Sequence, residues 1–138
     1  MKLLFDTNII LDVLLYRQPW VQHAQKLWQA HEDGLLTGYL TATTFTDIFY
    51  IAKRQQDIAK AATAVDTCLQ TFEICAVNRQ SILVARSLPG NDFEDNLQIA
   101  CATLSGLDGL VTRDPKGFQT TMMPIWTPTQ ILAQLSPS

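Results

Sequence analysis

The feature that most limits how this chain can fold is an alternation of short apolar runs with longer segments of helical period. Lys2 to Phe5, Leu35 to Leu40, Ile74 to Val77 and Gly109 to Thr112 read as strands, and Ile125-Trp126 as a further strand at an edge. Between them, apolar residues recur at intervals of three and four, as in Trp20, Ala24, Leu27 and Trp28, the mark of amphipathic helices. Strands alternating with helices predict an α/β fold with a mostly parallel sheet. Gly109–Thr112 is expected near its centre.

The helix boundaries follow from capping chemistry. Thr7 or Asn8 is the expected cap of a helix over Ile9 to Leu15. A second helix is expected from Pro19 to Gly34, and a third from Thr41 or Thr43, burying Phe45, Ile48, Phe49 and Ala52. A fourth should bury Ile58, Ala61, Ala62, Val65, Leu69 and Phe72. Asn78 caps a short fifth. Asn91, with Glu94 three residues on, resembles a capping box opening a sixth helix with Phe93, Leu97, Ala100, Cys101 and Leu104 on its apolar face. A final helix is expected from Thr129.

Composition bounds the class. A chain of 138 residues with 47% hydrophobic and 17% charged residues suits one packed domain, residues 1–138, rather than a disordered tail. No apolar run approaches the roughly 18 residues of a membrane span. Asp6 interrupts the opening apolar run after three residues, too early for a signal peptide, so a soluble, cytoplasmic protein is expected. Cys68, Cys75 and Cys101 contain no CxxC pair and are odd in number, which argues for reduced core thiols. Two histidines do not suggest a zinc site.

Four acids do not fit ordinary surface charge. Asp6 directly follows the first strand and Asp114 the fourth, and open α/β sheets bind ligands outside the carboxyl ends of their strands. Asp95 lies in the first turn of the sixth helix, sharing a face with Asp92 three residues earlier. Asp47 sits inside the third helix, where Asp has poor propensity. Carboxylates gathered in one crevice repel and raise each other's pKa values, a conflict that a divalent cation removes. Oxygen-only ligation suits Mg2+ or Mn2+, and such a cation positions water and neutralises a phosphoryl oxygen. With these four carboxylates set aside, the net charge of −3 turns slightly positive, so an acidic pI near 5.1 does not exclude a nucleic-acid substrate. Arg17, Lys53, Arg54, Arg113 and Lys116 are candidates for holding a polyanion at the mouth.

At these acids the chain resembles the PIN-domain family of metal-dependent nucleases, which includes the toxins of VapBC-type toxin–antitoxin pairs. Leu4-Phe5-Asp6-Thr7-Asn8-Ile9-Ile10-Leu11-Asp12 is similar to the family's first motif, and Thr46-Asp47-Ile48-Phe49-Tyr50 to the second. Asp92-Phe93-Glu94-Asp95-Asn96-Leu97-Gln98-Ile99-Ala100 resembles the third, and Val111-Thr112-Arg113-Asp114-Pro115-Lys116-Gly117-Phe118 the fourth. The resemblance spans Lys2 to about Pro128. It implies a three-layer α/β/α fold and a metal held by Asp6, Asp47, Asp95 and Asp114, with Asn8 and Thr112 supporting the site and Asp92 as an outer acid. Two positions depart from the family: many members have Glu where this chain has Asp47, and close members often have an acid where it has Gly117.

The expected activity is a Mg2+- or Mn2+-dependent endoribonuclease on single-stranded RNA, with Asp6, Asp95 and Asp114 holding the metal, Asp47 joining directly or through water, and Arg113 clamping phosphate. The resemblance further implies a small antitoxin protein partner and a homodimer, with Trp20, Trp28 or Tyr50 as candidate interface residues. Gly117 and the short Asp47 motivate an alternative, a PIN-like RNA-binding or protein-interaction module with weakened catalysis. An aspartyl phosphotransferase is the third reading, but it usually wants a second acid two residues after the nucleophile, where this chain has Asn8.

Overall fold

The computed structural model describes residues 1–118 and 122–135. Five strands, β1 (Lys2–Phe5), β2 (Thr37–Thr41), β3 (Glu73–Cys75), β4 (Gly109–Val111) and β5 (Ile125–Trp126), form one sheet. Their order is β3-β2-β1-β4-β5, and every neighbouring pair is parallel. Seven helices accompany them: α1 (Thr7–Leu14), α2 (Val21–Glu32), α3 (Ala42–Gln55), α4 (Ile58–Thr71), α5 (Arg79–Ser87), α6 (Phe93–Leu104) and α7 (Pro128–Leu135). The chain builds outward from β1 through β2 to β3, then crosses back to place β4 on the other side of β1. The direction of winding therefore reverses at β1, which is the central strand; β4 is its interior neighbour.

Period-two alternation along β1 sends side chains to two cores. Leu3 and Phe5 join Ile9, Ile10, Leu27, Ile48, Cys68 and Ile131, under α1–α4 and α7. Leu4 faces the other way, with Leu97, Ala100, Cys101, Leu110 and Phe118, under α5 and α6. This is the expected three-layer α/β/α arrangement. His31 ties one layer together: its Nδ1 accepts from Gly38 N–H at 2.9 Å, so Nε2 carries the proton and donates to the Thr71 carbonyl. All three cysteines are buried and unpaired, and burial pushes the Cys68 thiol up to about 12, leaving it inert as a nucleophile.

Several boundaries differ from the sequence reading for local reasons. Asp6, not Thr7 or Asn8, occupies the N-cap of α1, because β1 runs into the helix with one intervening residue. Asp92, not Asn91, caps α6, accepting from Asp95 N–H at 3.1 Å; Glu94 is thereby left out of the expected capping box. Asn78 does form a capping box, with Ser81. Thr41 holds the N-cap position of α3, but its hydroxyl bonds Thr43 and Thr44 rather than the helix backbone. The α4 face is rotated: Ala61, Ala64 and Cys68 are buried, while Ile58 and Leu69 are 61% and 51% exposed. Small residues let α3 and α4 pack closely, and the large ones at the margin of the stripe turn outward. Phe93 and Leu104 are likewise exposed at the two ends of α6. β2 starts two residues later than expected, α2 starts after the Pro19-Trp20 turn, and α7 starts at Pro128.

Gly109 is a packing requirement of the sheet. A Cβ there would lie 2.4 Å from Trp126 Cζ3 and 2.8 Å from the Pro124 carbonyl oxygen, so β5 approaches β4 closely only over a bare backbone. Gly109→Ala is expected to destabilise the protein by roughly 1–3 kcal/mol through overpacking. A urea midpoint equal to wild type would contradict that reading.

Candidate active site

The reversal at β1 leaves a crevice at the carboxyl ends of β1 and β4, the usual binding position in such sheets. Asp6 enters it from β1 and is held from two sides. Thr112 Oγ1 donates to Asp6 Oδ2 at 2.8 Å, and Gln98 Nε2 donates to Asp6 Oδ1 at 3.3 Å. Thr112 Oγ1 in turn accepts from Asp114 N–H at 3.1 Å, so one buried hydroxyl joins the ends of both strands. Thr7 Oγ1 lies 2.8 Å from Thr44 Oγ1, which lies 3.0 Å from Thr41 Oγ1. That buried hydroxyl chain ties the start of α1 to α3, the helix carrying Asp47.

Around Asp6 opens a cleft of about 420 Å³ lined by Asn8, Asp47, Asp92, Glu94, Asp95, Gln98 and Asp114, with Thr7, Leu11, Ile51 and Phe118. All four acids singled out in the sequence line it, together with Asp92 and Asn8. Thr112 sits behind Asp6, fully buried. Glu94 and Gln98 were missed. Glu94 fits the capping-box position after Asn91, yet it follows the observed cap, Asp92, by two residues and faces Asp47 across the cleft. Gln98 lies three residues after Asp95, the spacing that places both on one helix face, and that signal was available.

The carboxyls strain against one another. Burial raises the Asp6 carboxyl above its usual range, opposed by the Thr112 and Gln98 hydrogen bonds and the charge of Arg113. Asp95 is pushed up to about 6, first by burial and then by the negative charges of Asp92, Asp6 and Asp114. Glu94 rises to about 7, chiefly through its carboxyl–carboxyl hydrogen bond with Asp47, with burial and neighbouring acids adding to it.

Among the described residues, no three His, Cys, Asp or Glu side chains are gathered tightly enough to hold a metal ion as they stand. The donor chemistry nonetheless fits a hard divalent cation. It consists of carboxylate oxygens from four chain segments, without nitrogen or sulfur. Gln98 Oε1 is buried and has no hydrogen-bond partner, an acceptor left over once the amide N–H faces Asp6. Gly117 offers a bare backbone where a Cβ would meet Asp95 Oδ2 at 2.7 Å, so the missing side chain makes room for that carboxylate.

Arg113 is not among the residues lining the cleft. Its Nε lies 3.0 Å from Oδ2 of Asp12, which is 1% exposed, and its guanidinium carbon lies 3.7 Å above the Trp20 ring. The approach to Asp12 is off the N–H axis, since Nε has no hydrogen-bond partner among the described residues, so the contact is an ion pair; Arg17 Nη1 adds a second, 3.7 Å from Asp12 Oδ1. Thr112 and Arg113 follow β4 and turn to opposite sides of the chain, Thr112 toward Asp6 and Arg113 toward Asp12. The expected phosphate clamp is instead a brace between α1 and the segment after β4. Trp20 is accordingly a platform for Arg113 as well as a surface residue. Lys53 and Arg54 lie on α3 outside the cleft lining, and Arg17 reaches it through Asn8, donating from Nη1 to Oδ1 at 3.3 Å.

The sequence profile of the PIN domain matches residues 2–116. The chain belongs to the PIN-domain family. Solved PIN-like structures superpose over most of its length. A toxin–antitoxin complex from Klebsiella pneumoniae is 25% identical, with 91% of this chain and 96% of that chain covered and a TM-score of 0.68. A DNA-bound VapBC from Salmonella typhimurium gives a TM-score of 0.72 at 15% identity, covering 93% of this chain and 98% of that one. VapC20 from Mycobacterium tuberculosis, a toxin that cleaves the sarcin–ricin loop, gives 0.68 at 12% identity, covering 86% and 96%. The last two likenesses show the fold. Among curated protein sequences, none matches this PIN domain.

Two outcomes follow. Arg113→Ala leaves the buried Asp12 carboxylate only the longer 3.7 Å contact to Arg17 and is expected to cost roughly 1.5–3 kcal/mol in urea unfolding; unaltered stability would remove the brace. In metal-free protein, Asp95 and Glu94 keep their protons longer folded than unfolded. The folded state is therefore most favoured below about pH 4 and loses that advantage as pH rises through about 6 and 7. The melting temperature in chelator should fall between pH 5 and 7.5, and Mn2+ should raise it more at the higher pH. A metal-induced gain as large at pH 5 would contradict this.

Proposed function

We propose that this PIN-domain protein is a Mg2+- or Mn2+-dependent endoribonuclease of the cytoplasm that hydrolyses single-stranded RNA, and is the toxin of a toxin–antitoxin pair. The observation that carries the reading is the convergence of Asp6, Asp47, Asp95 and Asp114, from four separate segments, at the carboxyl ends of β1 and β4. Asp6, Asp95 and Asp114 would hold the metal, with Asp47 joining directly or through water. A divalent cation bound there would supply charge neutralisation at the phosphoryl oxygens and activation of the attacking water.

The chain's own residues do the positioning. Thr112 and Gln98 fix the Asp6 carboxylate, and the Thr112 hydroxyl also anchors the backbone of Asp114. The Thr7–Thr44 contact sets the distance from α1 to the Asp47 helix. Asp92 holds the first turn of α6, which presents Asp95. Asn8, at the rim, is placed to meet substrate. Arg113 supports this frame from behind.

A toxin–antitoxin assignment agrees with neighbours that are themselves toxin–antitoxin assemblies, from Klebsiella, Salmonella and other bacteria. An antitoxin segment entering the acid cleft would be expected to present a cation. A homodimer is part of the same proposal, and Tyr50, Ile58 and Leu69, exposed on α3 and α4, offer apolar surface for it.

The test is cleavage of labelled single-stranded RNA by antitoxin-free protein with Mn2+ or Mg2+, against chelator and against Asp95→Asn. Metal-dependent cutting that falls at least 100-fold in Asp95→Asn, with the fold retained by circular dichroism, is the expected result. RNA binding without cutting would favour the weakened binding module instead.

A further inference from the structure

The acid cleft does not end at Asp95. A second cavity of about 410 Å³ adjoins it, sharing Asp92, Asp95 and Asp114 and continuing along Pro89–Asn91, Lys116 and Gly117. Its walls are built into the fold. Asn96, 5% exposed, donates from Nδ2 to the Gly90 carbonyl at 2.8 Å and fixes the loop before α6. On the other side, Phe118 anchors the short 3-10 turn Pro115–Phe118 in the core beneath α6.

Three features of this cavity bear on a polyanion. Lys116 is the one cation among the described residues lining either cavity. Although three carboxylates share its cavity, Lys116 forms no ion pair among the described residues, so its charge is not consumed internally. Gly117 lies where the two cavities meet: a Cβ there would stand 2.7 Å from Asp95 Oδ2, and a side chain would displace that carboxylate and narrow the passage. The acids of the shared wall repel phosphate, so a chain crossing them needs a cation beyond them. Lysine serves as a compact point charge for that purpose.

We propose that this second cavity is the subsite for a phosphodiester flanking the scissile one, with Lys116 as its counter-charge and bare Gly117 as the passage through which the single strand continues. The inference rests on the acid cleft being the cleavage site. It gives the absent acid at position 117 a consequence: the position trades a carboxylate for an open path.

The experiment compares wild type, Lys116→Gln and Lys2→Gln in Mn2+ on two substrates, a ribodinucleoside monophosphate and a decaribonucleotide. The dinucleoside has no flanking phosphate. In Lys116→Gln the ratio of decanucleotide to dinucleoside kcat/KM should fall about tenfold, mainly through KM. The slope of log kcat/KM against log salt for the decanucleotide should become shallower by about 0.7, the loss of one phosphate contact on a single strand. Lys2→Gln, exposed at the amino end of β1 and so at the opposite end of the strand from the crevice, should leave both unchanged. An unaltered ratio and slope in Lys116→Gln would overturn the subsite, as would an equal loss on both substrates. Wild type cutting neither substrate would overturn the nuclease reading and the subsite with it, which separates the two failures.

Discussion

The site depends on the parallel pairing of β1 with β4, in which Phe5 stands opposite Val111. That register brings Asp6 and Thr112, the next residue of each strand, within one hydrogen bond. A slip of one residue would exchange the faces of the strand, sending Leu4 into the core that Leu3 and Phe5 fill. The two cores therefore fix the register, and the register fixes the acid. Because winding reverses at β1, no helix among the described residues crosses over the junction of β1 and β4, and the crevice stays open where the carboxylates project.

Gathering carboxylates there works against the stability of the metal-free protein. The fold answers this partly with neutral donors, Thr112 and Gln98, and partly with Arg113, whose charge acts on Asp6 while its guanidinium is committed to Asp12. What remains unbalanced is the row of acids from Asp47 through Glu94 to Asp95, which a cation would complete. Under the proposed function, the excess of negative charge is concentrated in one cleft that a bound metal would neutralise, which would let an acidic protein handle a polyanion.

Much of this was legible in the sequence because it depends on local rules. A carboxylate directly after an apolar strand, as at Asp6, or closely after one, as at Asp114, has only the strand end to occupy. The strand–helix alternation set the layers. What could not be read were facts of direction. Arg113 stands between two site residues, and only the pleat decides that it points to Asp12. Glu94 occupies a position equally suited to a capping box, and the choice between cap and cleft turned on whether Asn91 or Asp92 closed the helix. Ile58 and Leu69 satisfy a helical stripe, but the close approach of α3 and α4 selected the alanines beside them. The brace between Asp12 and Arg113 joins residues about a hundred positions apart, beyond any spacing rule.

The proposed metal site makes one cation-binding unit of the acids at the ends of β1 and β4. Its most direct test is anomalous diffraction from crystals of the protein grown with Mn2+ at neutral pH. A Mn2+ peak is expected in the cleft, ligated by the carboxylates of Asp6 and Asp95 with Asp114 or Asp47 within reach directly or through water. A cleft without anomalous density at saturating Mn2+, or Mn2+ bound only elsewhere on the surface, would contradict it.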